Sequence, residues 1–466
     1  MERERRNILA SYGDGAAYSL MVGFGETYLA AFALAAGLGQ VTAGLLGTVP
    51  YLAGGLLQLL GPYGMRLVGS YRRWVVTCAT VQGLVYLPLA VAAWIGVVPA
   101  PFLYAFAALY WCAGLAAGPA WNNWIEMLVP GRRLREFLAV RSRITQIAAF
   151  LAFLAGGYLL QVWQADGQVL HGFMILFALA GLGRFASAGF LSRQDEAAWP
   201  TENASQIPLA QIARRLLDPQ CGRFLLFLLV SQVAVNIAGP FFSPYMLARL
   251  HLSYAAYAAL ISASYVAKIT FYPYVARFVR HVGPYRALRI AAIGVAPGPL
   301  FWFLTPHLAP LMAVQIYAGV AWAAFELSST LLVFDRVAKS ERIRILTVYN
   351  LLNAAAIFVG SLGGGLLLSR LASTEAYAWV FTLSSSARFA SLGVLFGIKD
   401  VRVKMRRIAF RTLSLRPGHG SLAQPILIEQ KPENHKKRYL TAKAVAASAR
   451  ESEGPQDEDA PDAQAQ

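Results

Sequence analysis

The sequence predicts an all-α integral membrane protein, with twelve transmembrane helices arranged as two pseudo-symmetric six-helix bundles. Three observations point there. Hydrophobic residues make up 57% of the 466 and charged residues only 14%, far from the composition of soluble domains. The apolar residues come in blocks of roughly 20, the length of helix that crosses a hydrocarbon core of about 30 Å. The second half of the chain also repeats the first. A transmembrane barrel would show segments of about ten residues with alternating polarity, and none reads that way.

Taken in order, the first span (15–38) follows the charged opening ERERR, and the second (41–65) stops at Arg66. The third (74–97) and fourth (101–125) flank Pro99, and the fifth (143–163) follows the basic run RRLR. The sixth (171–192) ends at a polar stretch, beyond which the seventh (222–247) and eighth (252–276) run up to Arg277. The ninth (286–305) and tenth (308–333) precede the basic segment around Lys339, and the eleventh (345–369) and twelfth (376–398) close the apolar part.

The net charge of +17 could suggest nucleic acid, but its placement argues against that. Arg3, Arg5 and Arg6 precede span one; Arg66, Arg72 and Arg73 follow span two; Arg132, Arg133 and Arg135 follow span four. Arg277, Arg280, Arg286 and Arg289 surround the eighth connection, and Arg336, Lys339, Arg342 and Arg344 the tenth. The intervening connections carry little beyond Arg249 and Arg370. Basic residues gather on the cytoplasmic side, so both termini are expected there and no nucleic-acid partner is. The opening MERERRNILASYGDG leads into a full-length helix, and no cleavable leader is expected.

Cys78, Cys112 and Cys221 lie in or beside apolar spans without paired spacing, so neither disulfide nor metal is expected. The six histidines form no ligand pair within a span, and neither HExxH nor GxSxG occurs. No enzyme and no cofactor is expected.

The repeat is visible in register. A shift of 208 lays LVPGRRLREFLAV (128–140) over RVAKSERIRILTV (336–348), and Gly156 and Gly157 over Gly364 and Gly365. A shift of 214 lays VGSYR at Val68 over VGPYR at Val282. The arginine of RFAS also occurs twice, as Arg184 and Arg388, where carbonyls or acids of the same half are its expected partners. Six spans per half make the copies parallel, related by an axis along the membrane normal. The expected organisation is a first bundle (1–193), a cytoplasmic linker with an amphipathic helix (194–220), a second bundle (221–398) and a largely disordered cytoplasmic tail (399–466). The sequon at Asn203 faces the cytoplasm and is not expected to be glycosylated.

On these residues, over roughly 7–398, the chain resembles the major facilitator superfamily of secondary transporters. The block GPAWNNWIEMLVPGRRLREFLAVRSRI (118–144) is similar to bacterial members with uncharacterised substrates, which implies a bacterial cytoplasmic membrane. VGSYRRW and VGPYRAL stand where that superfamily keeps its Gly-Arg-rich loop, so Arg66, Gly69 and Arg72, with Arg280, Gly283 and Arg286, are candidate conformational loops. One departure stands out: the aspartate usual three residues before that glycine is Arg66 here, with Arg280 at its counterpart. The resemblance implies a multi-pass carrier working by alternating access, with the lipid bilayer, a small solute and protons as partners, acting as a monomer. The alternative is a non-transporting relative that serves as a membrane receptor or as an assembly or delivery factor.

An ionisable group at mid-membrane costs roughly 2.5–3.5 kcal/mol on insertion scales, so each needs a reason. Glu26 lies twelve residues past Asp14, about 18 Å of helix, and Lys268 nine before Arg277, about 14 Å. In the superfamily picture the two face each other across the halves, the acid exchanging a proton and the amine meeting solute. Glu326 on span ten is a third candidate. Trp121 and Asn122 on span four combine a ring with an amide, as recognition of a small amphipathic solute needs. Gln232 and Asn236 share a face of span seven just before Pro240 and Pro244, which should bend it. Tyr349 and Asn353 put a polar stripe on span eleven. Few charges among these candidates favour a small organic or amphipathic solute.

Overall fold

The computed structural model describes residues 2–129, 131–196, 221–303, 306–336, 342–371 and 373–398. The expected linker helix, the sequon at Asn203 and the tail from 399 lie outside them. Among the described residues every regular element is helical, and twelve main helices follow one another. They are α1 Glu2–Ala35, α2 Gln40–Leu57, α3 Tyr71–Ile95, α4 Ala100–Leu128, α5 Gly131–Ala165, α6 Val169–Ser192, α7 Gly222–Arg249, α8 Tyr254–Val282, α9 Pro284–Val295, α10 Leu308–Arg336, α11 Arg342–Arg370 and α12 Ser373–Phe396. Ten of the twelve have segments long and apolar enough to cross a membrane. The exceptions are α8, whose tyrosines, serines and basic residues dilute its hydropathy, and α9. Span nine is not continuous: Pro297 and Pro299 cannot donate helical hydrogen bonds, so α9 ends at Val295 and the chain resumes as a 3-10 turn at Leu300–Phe303.

Packing repeats as the sequence does. In the first half α1 lies against α5 and α6, α2 against α4, and α3 against α4 and α6; in the second half α7 lies against α11 and α12, α8 against α10, and α9 against α10. Between halves, α5 meets α8 and α2 meets α11. The end that carries the N-terminus and the basic connections is called the basic end below, and its opposite the far end. The largest buried cluster spans both halves and includes Leu29, Phe32, Phe173, Phe241, Tyr254 and Tyr257 toward the far end. Clusters nearer the basic end, such as that around Trp124 and that around Leu332, each belong to one half.

Two pseudo-equivalent seats join the halves. The Tyr28 hydroxyl donates to the Phe153 carbonyl at 2.5 Å, and its ring lies so close to Gly156 that a Cβ there would meet it at 2.8 Å. A Cβ on Gly157 would stand 2.5 Å from the Ala258 methyl of α8. In the second half Phe241 fills the same place: Cβ atoms on Gly364 and Gly365 would lie 2.8 and 3.4 Å from its ring, and that on Gly365 also 3.5 Å from Leu45 of α2. The repeated glycines therefore serve close approach of helix backbones.

The repeated arginines point into their own halves, as expected. Arg184 donates to Gln82 at 2.7 and 3.0 Å and to Ser187 at 2.6 Å. Ser187 donates to Asp14 at 2.7 Å, and Arg141 reaches the same carboxylate at 2.7 Å. One polar network thus ties α1, α3, α5 and α6. Arg388 instead donates to the Val295 carbonyl at 3.1 Å and the Val235 carbonyl at 3.5 Å.

Candidate functional site

Both α1 and α7 lose regular helix where they face one another. α1 is helical to Phe24, tightens to a 3-10 turn at Glu26–Tyr28 and resumes at Leu29. The Thr27 hydroxyl donates to the Gly23 carbonyl at 2.8 Å and the Val22 carbonyl at 3.2 Å, satisfying acceptors at the break. α7 tightens at Gly239–Phe241 and ends as a π-helix at Tyr245–Arg249. Pro240 and Pro244 bring this about, because each removes a ladder donor. The turns are equivalent, separated by 213 residues from Tyr28 to Phe241.

A crevice opens between them. Its polar wall is Glu26 and Thr27 from α1, Thr48 at the start of the second part of α2, and Ser243 from α7. Trp111 of α4 and Tyr257 of α8 add rings. The Glu26 carboxylate accepts a hydrogen bond from Tyr110 at 2.7 Å, and the Ser243 and Tyr257 hydroxyls are 3.0 Å apart. Trp111 is wedged edge-on between Tyr51 and Tyr110, with ring centroids at 5.0 and 5.3 Å.

Of the residues singled out in the sequence, Glu26 lies in this crevice. Lys268 does not meet it. Lys268 donates to Glu326 at 2.9 Å, and the two form a buried ion pair between α8 and α10. The expected depth match fails for a physical reason: α1 begins at Glu2, and Asp14 is buried inside the bundle. Counting from Asp14 therefore placed Glu26 too shallow. Lys268 sits seven residues from the crevice residue Ile261 on one stripe of α8, about 10 Å nearer the basic end.

The other candidates do not line the crevice. Trp121 is half-buried under the Arg141 guanidinium, 4.3 Å from its ring centre, and Asn122 beside it is half-buried too. The crevice takes its α4 ring from Trp111, ten residues nearer the far end. Gln232 and Asn236 are fully buried, and the Asn236 amide donates to the Gln232 carbonyl at 2.8 Å. Among the described residues the Gln232 amide atoms, Asn236 Oδ1 and Asn353 Oδ1 are buried without a hydrogen-bond partner. Asn236 packs on Gly360 of α11, and Tyr349 joins the buried core of the second half. Sequence reasoning missed Tyr110, Trp111, Thr48, Ser243 and Tyr257. Two signals could have found some of them: Ser243 lies inside the flagged GPFFSPY, and Tyr257 shares a helical stripe with Lys268.

Glycines and an ion-paired arginine mark these loops. Gly69 caps the short helix Gly61–Val68 that follows α2, with φ of +63°, the left-handed conformation a glycine allows, and Gly283 has φ of +91°. Arg66, Arg280 and Arg286 are exposed. Arg72 pairs with Glu196 at 3.3 Å, and Ser70 donates to the same carboxylate at 2.7 Å. The next acid along, Asp195, pairs with Arg6 and accepts from the Asn7 amide at 3.1 Å. The Trp124 indole donates to the Asp195 carbonyl at 3.0 Å. The short segment after α6 thus clips α1, α3 and α4 together at the basic end. Among the described residues no group of three His, Cys, Asp or Glu could hold a metal.

Residues 224–427 match the Major Facilitator Superfamily. No curated protein sequence matches the chain. Among solved structures the fold is similar to nucleoside transporter NupG, with a TM-score of 0.60 at 13% identity over 86% of this chain and 100% of that one. It is similar to a D-xylose-proton symporter, at 0.62 and 14% over 85% and 97%. A POT family transporter in complex with 5-aminolevulinic acid gives 0.60 and 12% over 85% and 96%. At such identities the likeness is one of fold. The chain thus has the fold of these transporters, and its residues 224–427 match the Major Facilitator Superfamily.

Proposed function

We propose that the chain is a secondary active transporter that moves a small organic or amphipathic solute across the bacterial cytoplasmic membrane by alternating access, driven by protons. The observation that carries this reading is the crevice between two broken helices, one from each half, beside a seal that joins the halves toward the far end. Interrupted helices in carriers often border solute sites, because backbone that leaves the helical ladder is tolerated in a membrane where it is buried in protein or lines a cavity. With the basic end in the cytoplasm, the solute enters from that side and the glycine seats close the outer side.

The Lys268–Glu326 pair supplies the proton step. A proton taken by Glu326 breaks the ion pair and loosens α8 from α10. Because α8 also carries Tyr257 and Ala258 to the crevice and the seal, that change reaches both. The receptor or assembly-factor reading drew on the absent loop aspartate, and Glu196 supplies an acid to Arg72 in its place.

The test is uptake and efflux in proteoliposomes with and without an imposed pH gradient. Accumulation that follows the gradient supports the reading, and solute binding with no flux in either direction would favour the receptor.

A further inference from the structure

We infer that the second half binds a small monovalent inorganic anion, chloride in a cell, on Arg388 and Ser385 where α12 packs on α7 and α9. The site is separate from the crevice and does not depend on which solute is carried.

Arg388 supplies the first ground. An arginine keeps its charge at any ordinary pH, and a buried charge without a counter-ion is costly. Arg388 is 6% exposed. Among the described residues its hydrogen bonds go to the Val295 and Val235 carbonyls, it forms no ion pair, and Nε is buried without a partner. Carbonyl dipoles solvate the cation in part and leave its net charge in place.

The repeat supplies the second ground, because the first half holds what the second lacks. Arg184 gives Nε and Nη2 to Gln82, and through Ser187 it stands against the Asp14 carboxylate. In the register that lays Tyr28 over Phe241, Asp14 falls on Phe227; in the shift of 214, Gln82 falls on Ala296. The copy thus keeps the arginine and loses both the amide and the acid.

The third ground is an unmatched hydroxyl beside the guanidinium. Nη2 reaches Val235, and the neighbouring Ala234 carbonyl accepts from Ser384 at 2.7 Å. The guanidinium therefore lies about one turn along α12 from its own Cα, level with Ser384 and Ser385. Ser385 is 1% exposed, and its Oγ is buried without a hydrogen-bond partner. An anion accepts from both Nε and this hydroxyl and cancels the charge, whereas a bridging water would leave the charge uncompensated. One cation sets the limit of one negative charge, and the burial favours a small ion.

The test is chloride NMR line broadening on the full-length protein in non-ionic detergent, with competition by sodium bromide or sodium gluconate. Saturable broadening that bromide removes and gluconate leaves is expected. It should vanish in Arg388→Met, and the affinity should fall about threefold or more in Ser385→Ala. Melting curves at equal ionic strength give a second readout: the difference between chloride and gluconate should be about 2–5 °C more positive in the parent than in Arg388→Met. The inference is overturned by no saturable broadening up to about 200 mM chloride, by broadening unchanged in Arg388→Met, or by an equal loss in Arg193→Met, which removes an exposed arginine. Should Arg388→Met not elute as a folded species, Ser385→Ala decides, and chloride affinity equal to the parent's overturns the site.

Discussion

Tyr28 and Phe241 occupy equivalent places in the two halves, each pressed into a glycine pair of the adjacent long helix, Gly156–Gly157 for one and Gly364–Gly365 for the other. The same glycines admit the opposite half, Ala258 at Gly157 and Leu45 at Gly365. Aromatic and glycine together build a contact that either closes fully or not at all, since a packed interface does not deform by degrees.

A leucine at Gly157 or Gly365 should therefore hold the far end apart. The overpacked seal costs about 1–3 kcal/mol, and transport should fall to near background in both variants while the protein still folds. Gly363, where a Cβ would meet nothing within 4 Å, provides the control, and its leucine variant should transport normally. Uptake assays with melting curves check the set; equal loss in all three would mean general damage to the helices rather than a seal.

The Lys268–Glu326 pair leads to a different pattern. Removing one partner leaves a buried charge unpaired, so Lys268→Met or Glu326→Met alone should destabilise by about 3–5 kcal/mol. The double substitution removes both charges and should recover most of that loss, within about 1 kcal/mol of the parent. Gradient-driven accumulation should nevertheless be absent from the double variant. A stable double variant that still follows the pH gradient would take the pair out of the coupling step.

Much of this was legible in the sequence, because hydrophobic block length and the 208-residue register are global signals that local irregularities do not erase. The two bundles, the repeated glycines at 156–157 and 364–365, and the inward turn of Arg184 and Arg388 all follow from them. What was not legible depends on azimuth and on breaks. Nothing in GETY carries proline, so the interruption of α1 at Glu26 gives no local warning, whereas Pro240 announced its counterpart in α7. Lys268 and Glu26 were matched by depth alone, and depth says nothing about which face of a helix a side chain leaves from. The ion pair with Glu326 required knowing that α8 packs on α10.

Arg184 and Arg388 share a motif but not an environment, which makes their substitutions diverge. Arg184→Met strips donors from Gln82 and Ser187 and leaves the Asp14 network half satisfied, at about 2–4 kcal/mol. Arg388→Met removes a buried cation whose contacts are two backbone carbonyls, so the lost hydrogen bonds are offset by the relieved desolvation. It should melt within a few degrees of the parent. Thermal melts of the two purified variants decide, and a larger loss at Arg388 would contradict this account.

Asp195 gives the basic end a pH dependence of predictable sign. The hydrogen bond from Asn7 holds its carboxyl below the usual 3.8, and the Arg6 guanidinium adds to the effect. A depressed acid contributes stability that is present above its ordinary value, near pH 4, and is lost as pH falls below that. The side chain is 35% exposed, so solvent screening limits the contribution to about 1 kcal/mol or less. Asp195→Asn should accordingly melt slightly lower than the parent at pH 7, and the two curves should converge as the acid is protonated toward pH 3. Because the other carboxylates titrate alike in both proteins, the difference between the curves isolates this one group. A gap that persists undiminished at low pH would show that the asparagine disturbs the clip by its shape rather than by its lost charge.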